Sequence, residues 1–466
     1  MDNKKLITPR KLQGFWELMP NEQKLFSTLV ETIENVFKEN CFVPLDTPVL
    51  EYSEALLAKS GGDTDKEVYR FTKGDSDVCM RYDLTVPLAR FVAMHEGELH
   101  FPFKRYQIGK VYRGEKPQKG RFREFYQCDA DIIGQDRLSV VADAECVNLF
   151  TKCFEALKLS CEVHVSNRKI LSGVISKFGD NANVNEVLTI LDKISKIGDE
   201  NALLCLKDLN ISQENAEKLI KISKINGNFD EIFENLKNLL NLKDISKEYL
   251  ETTNFDETQL FDAKTLVELG LQELFKIEKC LKSLGTQNYV YDLSIIRGHD
   301  YYTGTVFEAF LKNNSELMAV GGGGRFDNLC GYFSERKMPG VGLSVGITRL
   351  FDILMKQNYF DLSKFKDIDC AVITFDNTFF DGLGVLSKLR ESGVKAECFY
   401  ENKSFKSQMK EANRRNVKYI VIVGENEVKS KLFTLKNMET SNQSQMTLDD
   451  IANTLKNDRM WNIKYI

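Results

Sequence analysis

No two of the eleven cysteines stand in a C-x-x-C pair, and an odd number cannot close entirely into intramolecular disulfides. Reduced cysteines serving as small apolar residues are the expectation. Nowhere does the chain run for about 18 uncharged apolar residues, the length a membrane-spanning helix needs. Its opening, "MDNKKLITPRKLQGFW", has no apolar core of a secretory signal. A cytoplasmic protein without membrane contact is expected. Positive charge is not in excess either: Lys+Arg 63 stand against Asp+Glu 68, a net charge of −5. That excludes a general basic coat for nucleic acid and leaves room only for local contact. No internal repeat and no long low-complexity tract is found.

With 466 residues the chain is long enough for two or three domains. A first helix is read from Asn21 as N-cap through Leu25, Leu29, Ile33, Val36 and Phe37, which share one face at spacings of four and three. In "CFVPLDTPVLEYSEAL", Pro44 and Pro48 forbid a helix and fit an edge strand or extended segment. "HFPFKRYQIGKVYRG" and "FREFYQCDADIIG" then read as two strands, most simply an antiparallel pair. From about 172 to 285 Lys, Asn, Glu, Leu and Ile dominate, and Val184, Val187, Leu188, Leu191 and Ile194 follow helical spacing. Strand character returns in "YVYDLSII", "TVFEAFL" and "LMAVGGGG", followed by a helix in "GITRLFDILMKQ". The last hundred residues alternate apolar strands with helices, "DCAVITF", "VKAECFY" and "VKYIVIVG", then a ragged polar stretch; a mainly parallel sheet in a small α/β domain follows.

Between the two aromatic strands, "VYRGEKPQKGRFREFYQCDAD" concentrates Arg113, Glu115, Lys116, Lys119, Arg121 and Arg123 on a short loop with Gly114 and Gly120. Guanidinium forks there suit a polyphosphate held at several points. A solvated basic hairpin would read the same way. "AVGGGGRFDNL" and "GVGLSVGITRLFDIL" are glycine-rich without being a P-loop or a Rossmann turn. Bare backbone of this kind lets a flat base or ribose lie close, or simply lets strands pack. "SIIRGHDYYTGTVFEAF" sets Arg297, His299, Asp300, Tyr301 and Tyr302 between apolar strands, and "MRYDLTVPLAR" offers Arg81, Asp83 and Thr85 within five residues. Both fit a polar pocket, and "MRYDLTVPLAR" also fits a plain turn. On the C-terminal stretch Lys403, Lys406, Lys410 and Arg414 share one helical face, suited to phosphate contact or to plain solvation.

In this order the pieces resemble the histidyl-tRNA synthetases, a family of class II aminoacyl-tRNA synthetases, over nearly the whole chain apart from the helical stretch. "CFVPLDTPVLE" is similar to the first class II motif, the arginine-rich loop to the second and "GVGLSVGITRL" to the third. "RGHDYYTGTVFE" resembles the signature peculiar to the histidyl enzymes. The resemblance implies an α+β fold: an antiparallel sheet with flanking helices, a helical insertion, and a C-terminal α/β anticodon-binding domain. The domains would be a catalytic core over 1–171 and 286–358, the insertion over 172–285, a linker over 359–366 and the anticodon-binding domain over 367–466.

It further implies that Arg113 contacts the ATP α-phosphate, Glu115 the adenine amino group, and Arg121 with Arg349 the outer phosphates. Asp83, Thr85 and Gln127 match positions that hold the ammonium of histidine. Asp131 and Tyr302, with Tyr301 beside it, match groups facing the imidazole, and Gly322 and Gly323 the pocket floor. Arg297 matches the cation bridging the substrate carboxylate and the α-phosphate, which with Arg113 makes up the catalytic pair. ATP as substrate, Mg²⁺, histidine and its tRNA as partners, and a homodimer follow from the family. Departures are Asp83 and Asp131, each a methylene shorter than the common Glu, His299 where an apolar residue is usual, and Thr348 where Glu is common. Two rivals stand beside this reading: a non-catalytic paralogue that regulates ATP phosphoribosyltransferase, and a class II synthetase for another amino acid. The first usually lacks the C-terminal domain and erodes Arg113, Arg297 and Arg349, all present here; "RGHDYY" and Gln127 argue against the second.

Overall fold

The computed structural model describes residues 7–57, 67–116, 120–253, 261–296, 301–312, 319–361, 368–401 and 404–463. Lys119, Arg297, His299, Asp300, Lys403 and residues 362–366 of the expected linker lie outside the described residues. The first helix is Pro20–Glu39, so it starts ahead of the expected Asn21 cap. Pro20 takes the first turn, where its missing N–H costs nothing, and the Glu22 carboxylate accepts the Met19 N–H at 2.8 Å. Leu29, Ile33 and Phe37 form the buried stripe on which the period of the sequence rests.

Two units divide the chain. The larger takes in the residues up to Glu17 and Ser27–Ile353. Here β1 (Val43–Pro44) precedes a small antiparallel sheet of β2 (Leu50–Tyr52), β3 (Arg70–Lys73) and β4 (Ser76–Met80). The large sheet adds β5 (Phe103–Tyr112), β6 (Glu124–Ile133), β7 (Cys161–Asn167), β8 (Asn226–Gly227), β9 (Tyr289–Asp292), β10 (Thr305–Leu311), β11 (Ala319–Phe326) and β12 (Gly340–Val345). Their order is β1-β5-β6-β12-β11-β10-β7-β9-β8. The run from β5 to β7 is antiparallel throughout, and parallel pairing is confined to β1 on β5 and β9 on β7. The helix Val141–Ala156 packs on this sheet: Cys146 Sγ reaches the Val341 carbonyl, and the Phe150 and Phe307 rings stand 5.7 Å apart. From the same helix Asp143, fully buried, accepts Arg325 Nε of β11 at 3.1 Å.

Among its described residues the 172–285 stretch is helical apart from one short strand and the connections, and parts of it belong to the packing of the sheet. Asn226–Gly227 supplies β8 at its edge, and the helix Ala263–Ser283 lies along Arg168–Phe178. Glycines allow that approach: a Cβ on Gly173 would come within 2.6 Å of the Ala263 carbonyl oxygen.

The smaller unit comprises Leu18–Phe26 and the chain from Leu354 on. Its sheet runs β14 (Ala396–Cys398), β13 (Cys370–Thr374), β15 (Tyr419–Val423), β16 (Phe433–Asn437), β17 (Gln443–Met446). The first three are parallel, as expected, but β16 and β17 form an antiparallel hairpin where the sequence reads as ragged. Alternation inside β13 sends Cys370 and Val372 to Leu386, Leu389 and Ile451, and Ala371 and Ile373 to Ala412 and Val417. Helices therefore cover both faces.

Candidate active site

The register of β5 on β6 runs from Phe103↔Ile133 to Tyr112↔Glu124, so the arginine-rich loop leaves the sheet as a hairpin connection. Its three arginines are held in place. Arg113 stacks 4.3 Å from the Tyr82 ring and 5.2 Å from Phe125, and its Nε donates to the Tyr82 carbonyl at 3.3 Å. Arg121 Nη1 donates to Glu115 Oε2 at 3.0 Å, while Arg123 Nε donates to the Glu115 carbonyl. Gly120, at φ 72, takes a left-handed turn against the Arg349 side chain; a Cβ there would stand 3.5 Å from Arg349 Cγ. Loop and following helix thus present several guanidinium groups on a fixed frame.

Along β6 every second residue faces the same way, which brings Phe125, Gln127, Asp129 and Asp131 to one surface. On β12 the residues opposite them are Ser344, across from Asp129, and Gly342, across from Asp131. Gln127 Nε2 donates to Ser344 Oγ at 2.8 Å. Asp131 has room only because position 342 is glycine: a Cβ there would lie 2.0 Å from Asp131 Oδ1. Behind Asp131, Arg105 of β5 is 0% exposed and sets Nη2 2.8 Å from Asp131 Oδ2, with the same nitrogen donating to the Leu84 carbonyl at 3.1 Å.

Asp83 Oδ1 accepts the N–H groups of Thr85 and Val86 at 3.2 and 3.0 Å, which orders the start of the helix Thr85–Met94. Burial pushes the carboxyl of Asp129 up to about 7, with Asp131 adding to the rise and Arg105 opposing it. Burial likewise lifts Asp131 to about 6, Arg105 pulling the other way. The phenols of Tyr301 and Tyr302 are raised as well, by burial first; Tyr302 and then Asp83 add to the rise of Tyr301, and Asp131 and Asp129 to that of Tyr302.

One cavity of ≈ 470 Å³ collects these groups. Asp83, Thr85, Arg113, Glu115, Arg121, Gln127, Asp131, Tyr301, Tyr302, Gly322, Gly323 and Arg349 all line it. Gly322 and Gly323 differ: a Cβ on Gly323 would meet the Phe307 ring at 2.7 Å, on the helix-covered face, whereas one on Gly322 would point towards Glu308, a cavity residue. Lys406, Lys410 and Arg414 lie elsewhere, exposed on the helix Phe405–Arg414 of the smaller unit, Arg414 bonded to Glu411.

Arg81, singled out beside Asp83, is a strut and not a cavity residue. Its Nε donates to the Lys110 carbonyl at 2.7 Å and its Nη1 to the Thr47 carbonyl at 2.6 Å. Thr348 is equally structural, its Oγ1 accepting the Tyr126 N–H at 2.8 Å. Asp129, Ser344 and Glu308, which lie inside the quoted motifs without having been singled out, and Glu67, which lies outside them, also line the cavity. Alternation from Gln127 to Asp131 was a signal sufficient to find Asp129.

The family model for histidyl-tRNA synthetase matches residues 14–255 and 250–350, and that for an anticodon binding domain matches 369–458. The histidine–tRNA ligase of Clostridium acetobutylicum is 41% identical over 455 residues, covering 97% of this chain and 100% of its own. A crystal structure of the histidyl-tRNA synthetase from a Nostoc species superposes with a TM-score of 0.83 at 30% identity, over 97% of this chain and 100% of that one. A Bacillus halodurans chain described as an ATP phosphoribosyltransferase regulatory subunit/histidyl-tRNA synthetase shares the fold at a TM-score of 0.70 and 19% identity, over 90% and 99%. With family models that together span most of the sequence and a relative 41% identical over 97% of it, the chain belongs to the histidyl-tRNA synthetase family.

Proposed function

We propose that the chain is a histidine–tRNA ligase, which joins histidine to ATP as histidyl-adenylate and passes the histidyl group to the 3′ end of its tRNA. The observation that carries this is the convergence, in one cavity, of the acidic set Asp83, Asp129 and Asp131 with the cationic set Arg113, Arg121 and Arg349. In this reading Asp83, Thr85 and Gln127 hold the ammonium of histidine. Asp131, Tyr302 and Tyr301 face its ring over Gly322 and Gly323. Arg113, Arg121 and Arg349 hold the triphosphate, and Glu115 reads adenine. Arg297 bridges the histidine carboxylate and the α-phosphorus.

The carboxylate attacks that phosphorus in line and pyrophosphate leaves, a displacement that asks for alignment and charge neutralisation more than for a strong base. Carboxylates of the cavity would hold the Mg²⁺ that the family implies, together with phosphate oxygens. The donors fit such an ion: the cavity is lined by carboxylates including Glu67 and Glu308, and Mg²⁺ takes one or two carboxylates besides phosphate oxygens. Bound there, it would neutralise phosphate charge.

Transfer to tRNA engages the smaller unit, whose exposed Lys406, Lys410 and Arg414, with Lys403 before them, contact RNA phosphates. A homodimer is part of the proposal and is supported by apolar side chains left in water beside Pro48. Val43, Val49, Leu50 and Tyr52 are 48%, 38%, 47% and 60% exposed. Action in the cytoplasm is proposed as well; among the described residues no helix is long and apolar enough to cross a membrane. The test is ATP–pyrophosphate exchange with each amino acid in turn. Exchange with histidine above all others is expected, and exchange driven by a different amino acid, or by none, overturns the proposal. Sedimentation at micromolar concentration tests the dimer, and a monomer there counts against it.

A further inference from the structure

Two residues that no motif singled out stand at the base of the acidic set. Asp129 is 2% exposed, lines the cavity between Gln127 and Asp131, and has a buried Oδ1 with no hydrogen-bond partner among the described residues. Arg105 is 0% exposed, lies behind Asp131, and leaves Nε and Nη1 equally unpartnered. Gln127 Oε1 completes a cluster in which buried donors and acceptors wait for a ligand or for water, while Asp131 Oδ2 is held by Arg105 Nη2. Such atoms are costly to leave unmade, so the cluster is built to be completed.

We propose that Asp129 is a second acceptor for the ring of the substrate side chain, that Arg105 positions Asp131 as the first, and that the pair holds the ring as a cation. The proposal rests on the histidine reading above and deepens it. Asp129 and Asp131 sit two residues apart on one strand, roughly 6.6 Å along it. That is close to the span of an imidazole with a hydrogen bond of about 2.8 Å on each side. A neutral imidazole brings one N–H and one bare nitrogen. Below about pH 7 Asp129 supplies the missing proton, its carboxyl proton passing to the ring nitrogen; above that pH the ring takes the proton from water, and either way a carboxylate is left beside a two-donor ring cation.

The groups around Asp129 agree with this exchange. Asp131, Asp83 and the phenols of Tyr301 and Tyr302 face it on the cavity side, and the Cys128 thiol is adjacent on its own strand. Among the described residues Arg105 is the cation that pulls it down. Two other carboxylates, Asp131 and Asp83, against one guanidinium favour a proton on Asp129 in the empty site up to about pH 7, in line with its carboxyl rising to about 7 through burial.

The experiment uses ring-nitrogen-15 histidine bound to the full-length protein at about pH 7.5, where free imidazole is mostly neutral. Nitrogen shifts of a cationic ring are expected in the wild type and of a neutral ring in Asp129→Asn. A neutral ring in the wild type, or a cationic ring in both, overturns the proposal. Selectivity gives an independent arm, in pyrophosphate exchange with an analogue carrying a single ring nitrogen. The preference for histidine, as a ratio of kcat/KM, should fall about tenfold or more in Asp129→Asn; an unchanged ratio removes Asp129 from recognition.

For Arg105→Met the histidine KM should rise about tenfold while the ATP KM stays put, with Arg105→Lys recovering part of the loss. Equal movement of both KM values, or Lys no better than Met, overturns the positioning role. A wild type that exchanges pyrophosphate with an amino acid other than histidine sinks the functional reading itself; normal histidine exchange with unmoved ring shifts sinks only the proton-sharing pair.

Discussion

Asp129 and Arg414 show two treatments of charge in one chain. Asp129 is 2% exposed and keeps an unpartnered oxygen, whereas Arg414 is exposed and tied to Glu411 at 2.6 Å on the same helix turn. Its neighbours on the smaller unit behave alike: Arg415 pairs with Glu397 and Lys418 with Asp458, both at 2.7 Å. Water makes the surface pairs inexpensive and nearly interchangeable, because solvent screens them and competes for each partner. Burial makes the cavity charges expensive, and they persist where something other than stability keeps them. The larger unit also contains a buried pair that is fully closed, Arg325 with Asp143, which separates burial from incompleteness.

Breaking that closed pair should have the largest effect. Asp143→Ala leaves the Arg325 guanidinium buried with Asp327, only partly buried, as its remaining anion, and should cost about 3–5 kcal/mol in chemical denaturation. Next comes Gly342→Ala, which drives a methyl group to 2.0 Å from Asp131 Oδ1. Histidine-dependent pyrophosphate exchange should fall about a hundredfold while the melting temperature moves little, since the carboxylate yields before the strand does. Retained exchange would show that Asp131 has space to turn.

A smaller effect is expected from pH. Because Asp129 and Asp131 titrate at about 7 and about 6 in the folded chain against 3.8 for the free side chain, the fold binds more protons than the unfolded chain between those limits. Stability of the ligand-free protein should therefore fall as pH rises from about 4 to about 7, and level off above. Asp129→Asn should flatten the upper part of that slope in thermal melts. Least of all, Arg415→Ala should change stability by less than about 1 kcal/mol, because its bond to Glu397 is half in water. A loss as large as that of Asp143→Ala would erase the contrast between surface and cavity.

Much of this was legible in the sequence, for reasons that can be named. The aromatic and β-branched runs around the arginine-rich loop marked β5 and β6, and the motifs marked most of the cavity lining, because chemistry demanded particular residue types at short spacing. Arg105 was not legible: its closeness to Asp131 is set by strand register, which local sequence does not print. The β16–β17 hairpin escaped because β17, "QSQM", is largely exposed and has no apolar alternation to read. Pro20 displaced the expected Asn21 cap because proline is tolerated at the start of a helix and not within it. Arg81 and Thr348 sit beside motif residues yet serve the scaffold, so proximity in sequence to a functional residue was a poor guide to role.

The alternation of β6 also sets how this gene can change length. Residues gained or lost in the 113–123 loop leave every β6 side chain on its side of the sheet, so the cost there falls on the loop's own Arg113, Glu115 and Arg121. A single residue gained or lost between Phe125 and Asp131 would instead turn acids into the apolar layer and send Cys128 and Ala130 towards the substrate. Two compensating indels would be needed to restore parity, and neither intermediate would be expected to survive, which makes this ten-residue strand far less permissive than the loop that precedes it.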